Sequence, residues 1–393
     1  MRPLRRLHIV VACAFFFILY LGWVWPSLEV KTRLQKVFSG SARRIVVFGD
    51  DWSDIGTSPI AAPRPESVLI REPASGKIWT ESLSKKLLCD TIDNFARDGS
   101  TIEHKDATAN GRPAASSGRH VDLEEQVLQW IEHEKQRSSV PSGRYKKKED
   151  TLFTIMFGLW DLLDYVHLSE EAGKRAIDSA VLEIFQQMDK IVDHANFPVR
   201  IVLPFTIDIS LLPGFPSQVA NSTSGLSLAQ LQHHAMYLST YWNTALMRAA
   251  MQWTGGDVFM PDLNHFVVSN VQSKQLWQLN LSDAFGNGRQ SPVFNNVELP
   301  CLLRPDTLPF LENFQSAGAA SHGSQQQCDE PTNHLFWDEM HLSGKANQLF
   351  GDEAASLVHE NKTINANARH QNNADGEAET TNFTLILPPE ELR

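Results

Sequence analysis

The Asp338-Glu339-Met340-His341 segment places a carboxylate and an imidazole three residues apart, so both can face one side of a turn. A carboxylate beside an imidazole fixes its tautomer and raises its basicity, as a general base requires. Far upstream, Gly49-Asp50-Asp51-Trp52-Ser53-Asp54 carries further acidic groups and one hydroxyl. Asp51 with His341 could activate a water, or Asp51 could attack a saturated carbon; acyl transfer through a carboxylate is disfavoured because the adduct expels the carboxylate again. Asp50, Asp51, Asp161, Asp338 and His341 could also gather as metal ligands. Acidic residues at strand ends are common without metal, so no metal and no cofactor is assigned.

The elements that must position these groups alternate. Ile45-Val46-Val47-Phe48 reads as a buried strand stopping at Gly49, and Glu81 to Leu88 as a helix. Thr91 to Gly99 holds a short strand, and Val121 to Glu134 is apolar at helical spacing. The charged insert Lys135 to Asp150 reads as a solvated loop. Strands at Leu152 to Phe157, Val199 to Leu203 and Val258 to Met260 alternate with helices at Ala172 to Ala195 and Leu228 to Trp253. This order predicts an α/β fold with a parallel sheet and helices on both faces. In such sheets ligands bind beyond the carboxyl ends of the strands, where the Gly-Asp-Asp turn falls.

Within that frame the motifs resemble the SGNH, or GDSL-type, hydrolases. Val46-Val47-Phe48-Gly49-Asp50-Asp51-Trp52-Ser53-Asp54 resembles the first block of that family, with Asp51 at the position of its nucleophilic serine. Asn94-Phe95-Ala96 followed by Gly99 resembles the second, whose glycine N–H helps form an oxyanion hole. Gly158-Leu159-Trp160-Asp161 resembles the third, with Trp160 where the family's asparagine supplies the other oxyanion donor. The indole N–H could donate there, although core packing is the reading its size favours. Trp337-Asp338 through His341 resembles the final block. The resemblance covers about Arg44 to Leu357 and implies a flavodoxin-like three-layer α/β/α domain. It further implies hydrolysis of ester bonds, in an acylated carbohydrate or lipid. Asp51, Asp338 and His341 would occupy the catalytic positions, Gly99 and Trp160 the oxyanion hole, and Gly49, Asp50 and Asp161 would support the site. Loss of the serine makes a catalytically inactive relative, binding a glycan or a protein partner, the alternative expectation.

The chain of 393 residues has a net charge of −11, which argues against a general nucleic-acid binder. Ile9 to Trp25 is an unbroken apolar run behind Arg2, Arg5 and Arg6, read as a transmembrane signal anchor over residues 8–25. Residues 1–7 are then a cytoplasmic tail, 26–43 a stem, 44–358 the folded domain and 359–393 a disordered tail rich in Asn, Ala and Glu. The domain would lie on the lumenal or extracellular side of the secretory pathway; a cleaved signal peptide and a secreted protein is the alternative. Asn221, Asn280, Asn361 and Asn382 head sequons for N-glycosylation, all beyond the anchor. Cys301 and Cys328 flank a Gly/Ser/Gln-rich segment; an oxidising compartment favours a disulfide there over two free thiols, and the pair resembles one seen in many eukaryotic members of the family.

Overall fold

The computed structural model describes residues 42–56, 75–103, 121–139, 149–195, 198–220, 225–303 and 326–365. The expected anchor and most of the stem, Lys146 to Lys148, and the sequons at Asn221 and Asn382 lie outside them. Among the described residues no helix is long and apolar enough to cross a membrane.

Five parallel strands form the sheet. They are β1 (Ala42–Gly49), β2 (Thr91–Asn94), β3 (Glu149–Met156), β4 (Val199–Val202) and β5 (Gly256–Phe259), in the order β2-β1-β3-β4-β5. β1 pairs with β2 on one side and β3 on the other, with Gly49 opposite Met156. Ile45, Val46, Val47 and Phe48 are all buried, which is why this strand reads as a continuous apolar run and not as an alternation. The helices fall into two groups that pack among themselves. α1 (Trp79–Leu87) lies against the C-terminal α8 (Gly344–His359), and α2 (Leu123–Ser139), α4 (Glu170–His194) and α6 (Leu228–Gln252) pack side by side. Right-handed crossovers require this division, because the chain moves one way from β1 to β2 and the other way thereafter. α3 (Leu159–Tyr165), α5 (Phe215–Val219) and α7 (Leu263–Gln278) complete the helices named here.

Reversal of direction between β1 and β3 creates a topological switch point. The Asp50-Asp51 turn leaves β1 there, and Phe157 to Trp160 leaves β3 beside it. α3 starts at Gly158, whose φ is +116°, in the left-handed region that favours glycine. A Cβ on Gly158 would also sit 2.7 Å from the Trp242 ring. Gly158→Ala is therefore expected to cost about 2–4 kcal/mol from strain and overpacking together, measured as a loss of unfolding free energy in urea.

Two boundaries differ from the sequence reading. α2 continues through the start of the charged insert to Ser139, and β3 begins within it at Glu149. Arg137 explains the difference, reaching Glu134 one turn back at 3.3 Å and Glu149 at 3.0 Å. The segment assigned to the tail also starts out bound to the sheet. Ile364 N–H donates to Val258 O at 2.9 Å, and the Asn365 amide donates to Trp253 O and Gly256 O, each at 2.7 Å. Polar composition hid this edge contact, since an Asn that satisfies backbone groups resembles an Asn in solvent. Residues 366–393 lie outside the described residues.

Candidate active site

The turn after β1 is tight. Ser53 N–H and Asp54 N–H both donate to Asp50 O at 3.0 Å, and the Asp50 carboxylate accepts the Trp52 N–H. Gly49 has no room for a side chain: a Cβ there would meet Met156 O and Ser53 Cβ, each at 2.8 Å. Asp50 is buried, and burial pushes its carboxyl well above the usual range, with the neighbouring Asp51 and Asp161 adding to the shift. Asp161, at the start of α3, accepts the Ile102 N–H at 3.1 Å and so ties the β2–α2 connection to the third block.

Asp338 and His341 arrive from the opposite end of the chain. Asp338 Oδ1 accepts the N–H groups of Met340 at 2.9 Å and His341 at 2.8 Å, and Trp337 N–H donates to His341 O. The pair therefore sits in a closed loop, ahead of α8, whose first turn is capped by Ser343. The Cys301–Cys328 disulfide forms and braces this loop. Cys301 N–H donates to Phe336 O and Leu302 N–H to Trp337 O, while Trp337 packs into a small cluster with Cys301 and Leu302.

The first and last blocks meet across 290 residues. His341 Nδ1 lies 2.8 and 3.0 Å from the two Asp338 oxygens, and His341 Nε2 lies 2.8 Å from Asp51 Oδ2. The other Asp51 oxygen, Oδ1, accepts the Trp160 indole N–H at 2.7 Å. Trp160 is half-buried and packs against the core, as its size suggested, but its N–H is directed at Asp51. One carboxylate thus occupies both groups that an incoming acyl group would need.

Burial alone would disfavour a charged imidazole. It is outweighed by Asp338 and Asp51, whose charges and hydrogen bonds hold His341 well above the ordinary histidine range. The direction of that shift favours the doubly protonated ring, with a carboxylate oxygen within hydrogen-bond distance of each nitrogen. An imidazolium has no lone pair with which to take a proton. The Asp51 side chain is only 2% exposed, whereas that of His341 is 32% exposed.

Ser53 is not placed to act as a nucleophile. It is fully buried, its Oγ accepts the Trp79 indole N–H, and its carbonyl accepts the Asn94 amide. Gly99 adopts φ +66° just beyond Arg97, whose N–H donates to Gly49 O at 3.0 Å. The second block is thereby pinned to the end of β1. Among the described residues no group of three or more His, Cys, Asp or Glu side chains is arranged to hold a metal ion.

Several site residues went unnoticed in the sequence. Gln126, on α2, is buried and holds Gly49 through its N–H and its carbonyl, each at 2.9 Å. Gln126→Leu leaves the buried Gly49 N–H without its acceptor, and is expected to cost about 1–3 kcal/mol, read as a lower urea midpoint. Asp98 N–H donates to Asp54 Oδ2 at 3.2 Å, a contact with no local signature in the sequence. Asp98 is pushed up to about 6, by loss of hydration first and then by Asp51 and Asp54, with His341 opposing. Gln126 sits on an amphipathic helix and Asp98 in a turn, where such residues are common; only the fold brings them to Gly49 and Asp51.

The blocks that carry the resemblance thus converge at the switch point of the sheet. A family model described as GDSL-like Lipase/Acylhydrolase matches residues 45–354, which is most of the chain and all of the sheet after its first residues. No curated protein matches the chain. With its first, third and last blocks assembled at one site and the family model spanning the domain, the chain belongs to the GDSL-like lipase/acylhydrolase family.

Proposed function

We propose that this chain is a membrane-anchored member of an ester-hydrolase family whose site has given up serine-type acyl transfer and serves as a binding cleft. The observation that carries this reading is the Asp51 carboxylate bridging Trp160 Nε1 and His341 Nε2. Loss of the serine costs about 2 × 10⁶ in turnover, which takes a typical 10 per second to about one event in two days. Neither Asp51 nor water repairs this. Asp51 is sealed from solvent, and the two carboxylates beside His341 favour its doubly protonated form, which has no vacant lone pair.

The ligand class follows from the family and from the charge of the cleft. GDSL hydrolases act on small-molecule esters, so an acylated carbohydrate or lipid suits the fold. Asp51 and Asp338 flank His341, and Asp98 lies within electrostatic reach of Asp51 and His341, an arrangement that favours a neutral ligand over a phosphate or carboxylate. The apolar run over residues 8–25 behind three arginines supports a single-pass anchor with the domain on the lumenal or extracellular side. The exposed sequons at Asn280 and Asn361 are compatible with that side.

The test is hydrolysis of p-nitrophenyl acetate by the full chain purified in detergent, beside His341→Ala. The expected result is equal rates, both at the level of free imidazole in buffer. Wild-type turnover that vanishes in His341→Ala would mean that Asp51 or a water has taken over the serine's work.

A further inference from the structure

Around the C-terminal end of α7 the surface is unusually apolar. Trp277 is 43%, Leu279 67%, Leu281 55% and Phe285 93% exposed, within nine residues of one another. The backbone here is well formed. Asn280 N–H donates to Trp277 O at 3.1 Å and Leu281 N–H to Leu276 O at 2.9 Å, while Asp283 accepts the N–H groups of Phe285 and Asn287. Gly288 packs so closely on Leu281 O and Leu276 Cβ that no side chain fits there. The fold therefore presents these side chains to solvent from a hydrogen-bonded turn, and large apolar side chains exposed so close together in the chain mark a surface that something covers.

Asn280 sits in the middle of the patch. It is exposed, adopts φ +55° at the helix end and heads the sequon Asn280-Leu281-Ser282. We infer that Asn280 carries an N-linked glycan whose first sugars lie on Trp277, Leu279 and Leu281 and serve as the cover of this patch. The inference rests on the lumenal placement proposed above. In the transfer, Asn280 Nδ2 bonds to the anomeric carbon of an oligosaccharide carried on a polyprenyl pyrophosphate. The sugar–phosphate bond breaks, the pyrophosphate departs with the electron pair, and the amide gives up one proton. Hydrogen-bond and aromatic chemistry then suit the product: the apolar face of a pyranose packs on an indole, and its hydroxyls face water. A bulky solubilising group at this position would also keep the patch off a bilayer or a second copy of the chain.

The experiment uses the full chain expressed in a eukaryotic secretory host. Glycopeptide mass spectrometry reads each of the four sequons, and the folded protein is then treated with glycosidases. The expected result is occupancy at Asn280. Removal of the whole glycan should raise binding of an apolar-surface dye several-fold and promote self-association, while trimming to the first N-acetylglucosamine should leave both low. In Trp277→Ala the dye response to full removal should shrink. A bare Asn280 with glycans at other sequons overturns this inference alone, and vesicle binding by such a protein would assign the patch to a lipid surface instead. An occupied Asn280 whose removal changes neither readout also overturns it. A chain bare at all four sequons overturns the lumenal placement, and this inference with it.

Discussion

Asp51→Ser is expected to raise p-nitrophenyl acetate hydrolysis roughly 10³–10⁴-fold above the wild-type rate. The figure is the about 2 × 10⁶ that a serine nucleophile contributes, discounted by the about 10²–10³ that a misplaced oxyanion donor costs. Three changes follow from one substitution. A hydroxyl appears at the end of β1, where Asp51 Oδ2 now lies 2.8 Å from His341 Nε2. His341 loses one of the two carboxylates that keep it charged, so Nε2 regains a lone pair. The Trp160 N–H loses its present acceptor at Asp51 Oδ1 and becomes a donor for a developing oxyanion. His341→Ala added to Asp51→Ser should abolish the gain, which separates restored catalysis from contamination. An Asp51→Ser protein no faster than wild type would show that the departure at Trp160 is by itself disabling.

The second large effect is on stability against pH. His341 is held above its unfolded value, about 6.5, by Asp338 and Asp51 against the opposing effect of burial. A group of this sign contributes stability that is complete below the unfolded value and is lost as pH rises through the folded value. The wild-type melting temperature should therefore fall on the alkaline side of about 6.5. His341→Gln, which cannot take up the proton, should lack that component of the decline. Asp51→Asn should move the decline toward neutrality, since one of the two charges is gone. A wild-type profile indistinguishable from that of His341→Gln would contradict a charged imidazole.

These effects depend on contacts of very different visibility in the sequence. β1 was legible because Ile45 to Phe48 are buried on both faces and need no alternation. The closed loop at Asp338 was legible because its two chemical residues lie within one turn. The third block shows where local reading stops. Trp160 beside Leu159 and Leu162 reads as a core aromatic, and its bond to a residue 109 positions earlier has no local signature. The same holds for Gln126, which clamps Gly49 from a helix whose apolar face alone was apparent. α2 was read too short, and the segment at Ile364 was assigned to the tail, for a related reason. Charged and amide side chains that end an apolar pattern can still be paired with partners on other elements, as Arg137 is with Glu149 and Asn365 with β5.

Asp51 and Trp160 form one feature in the fold. A carboxylate would be poorly placed beside an amide carbonyl, but an indole offers only a donor. Asp51 and Trp160 thus satisfy one another, and His341 neutralises the charge they bury. The arrangement is self-consistent without a free nucleophile, with the imidazole held between the carboxyl groups of Asp51 and Asp338.

The most direct test of that arrangement is the protonation state of His341, read by ¹H–¹⁵N correlation of the imidazole nitrogens across a pH series. Wild type should show both ring nitrogens protonated at pH values above about 6.5, with Asp51→Ser titrating at lower pH. A wild-type His341 that titrates as an ordinary exposed histidine, with one unprotonated nitrogen at neutral pH, would mean that Asp51 does not lock the imidazole and that a general base is still present.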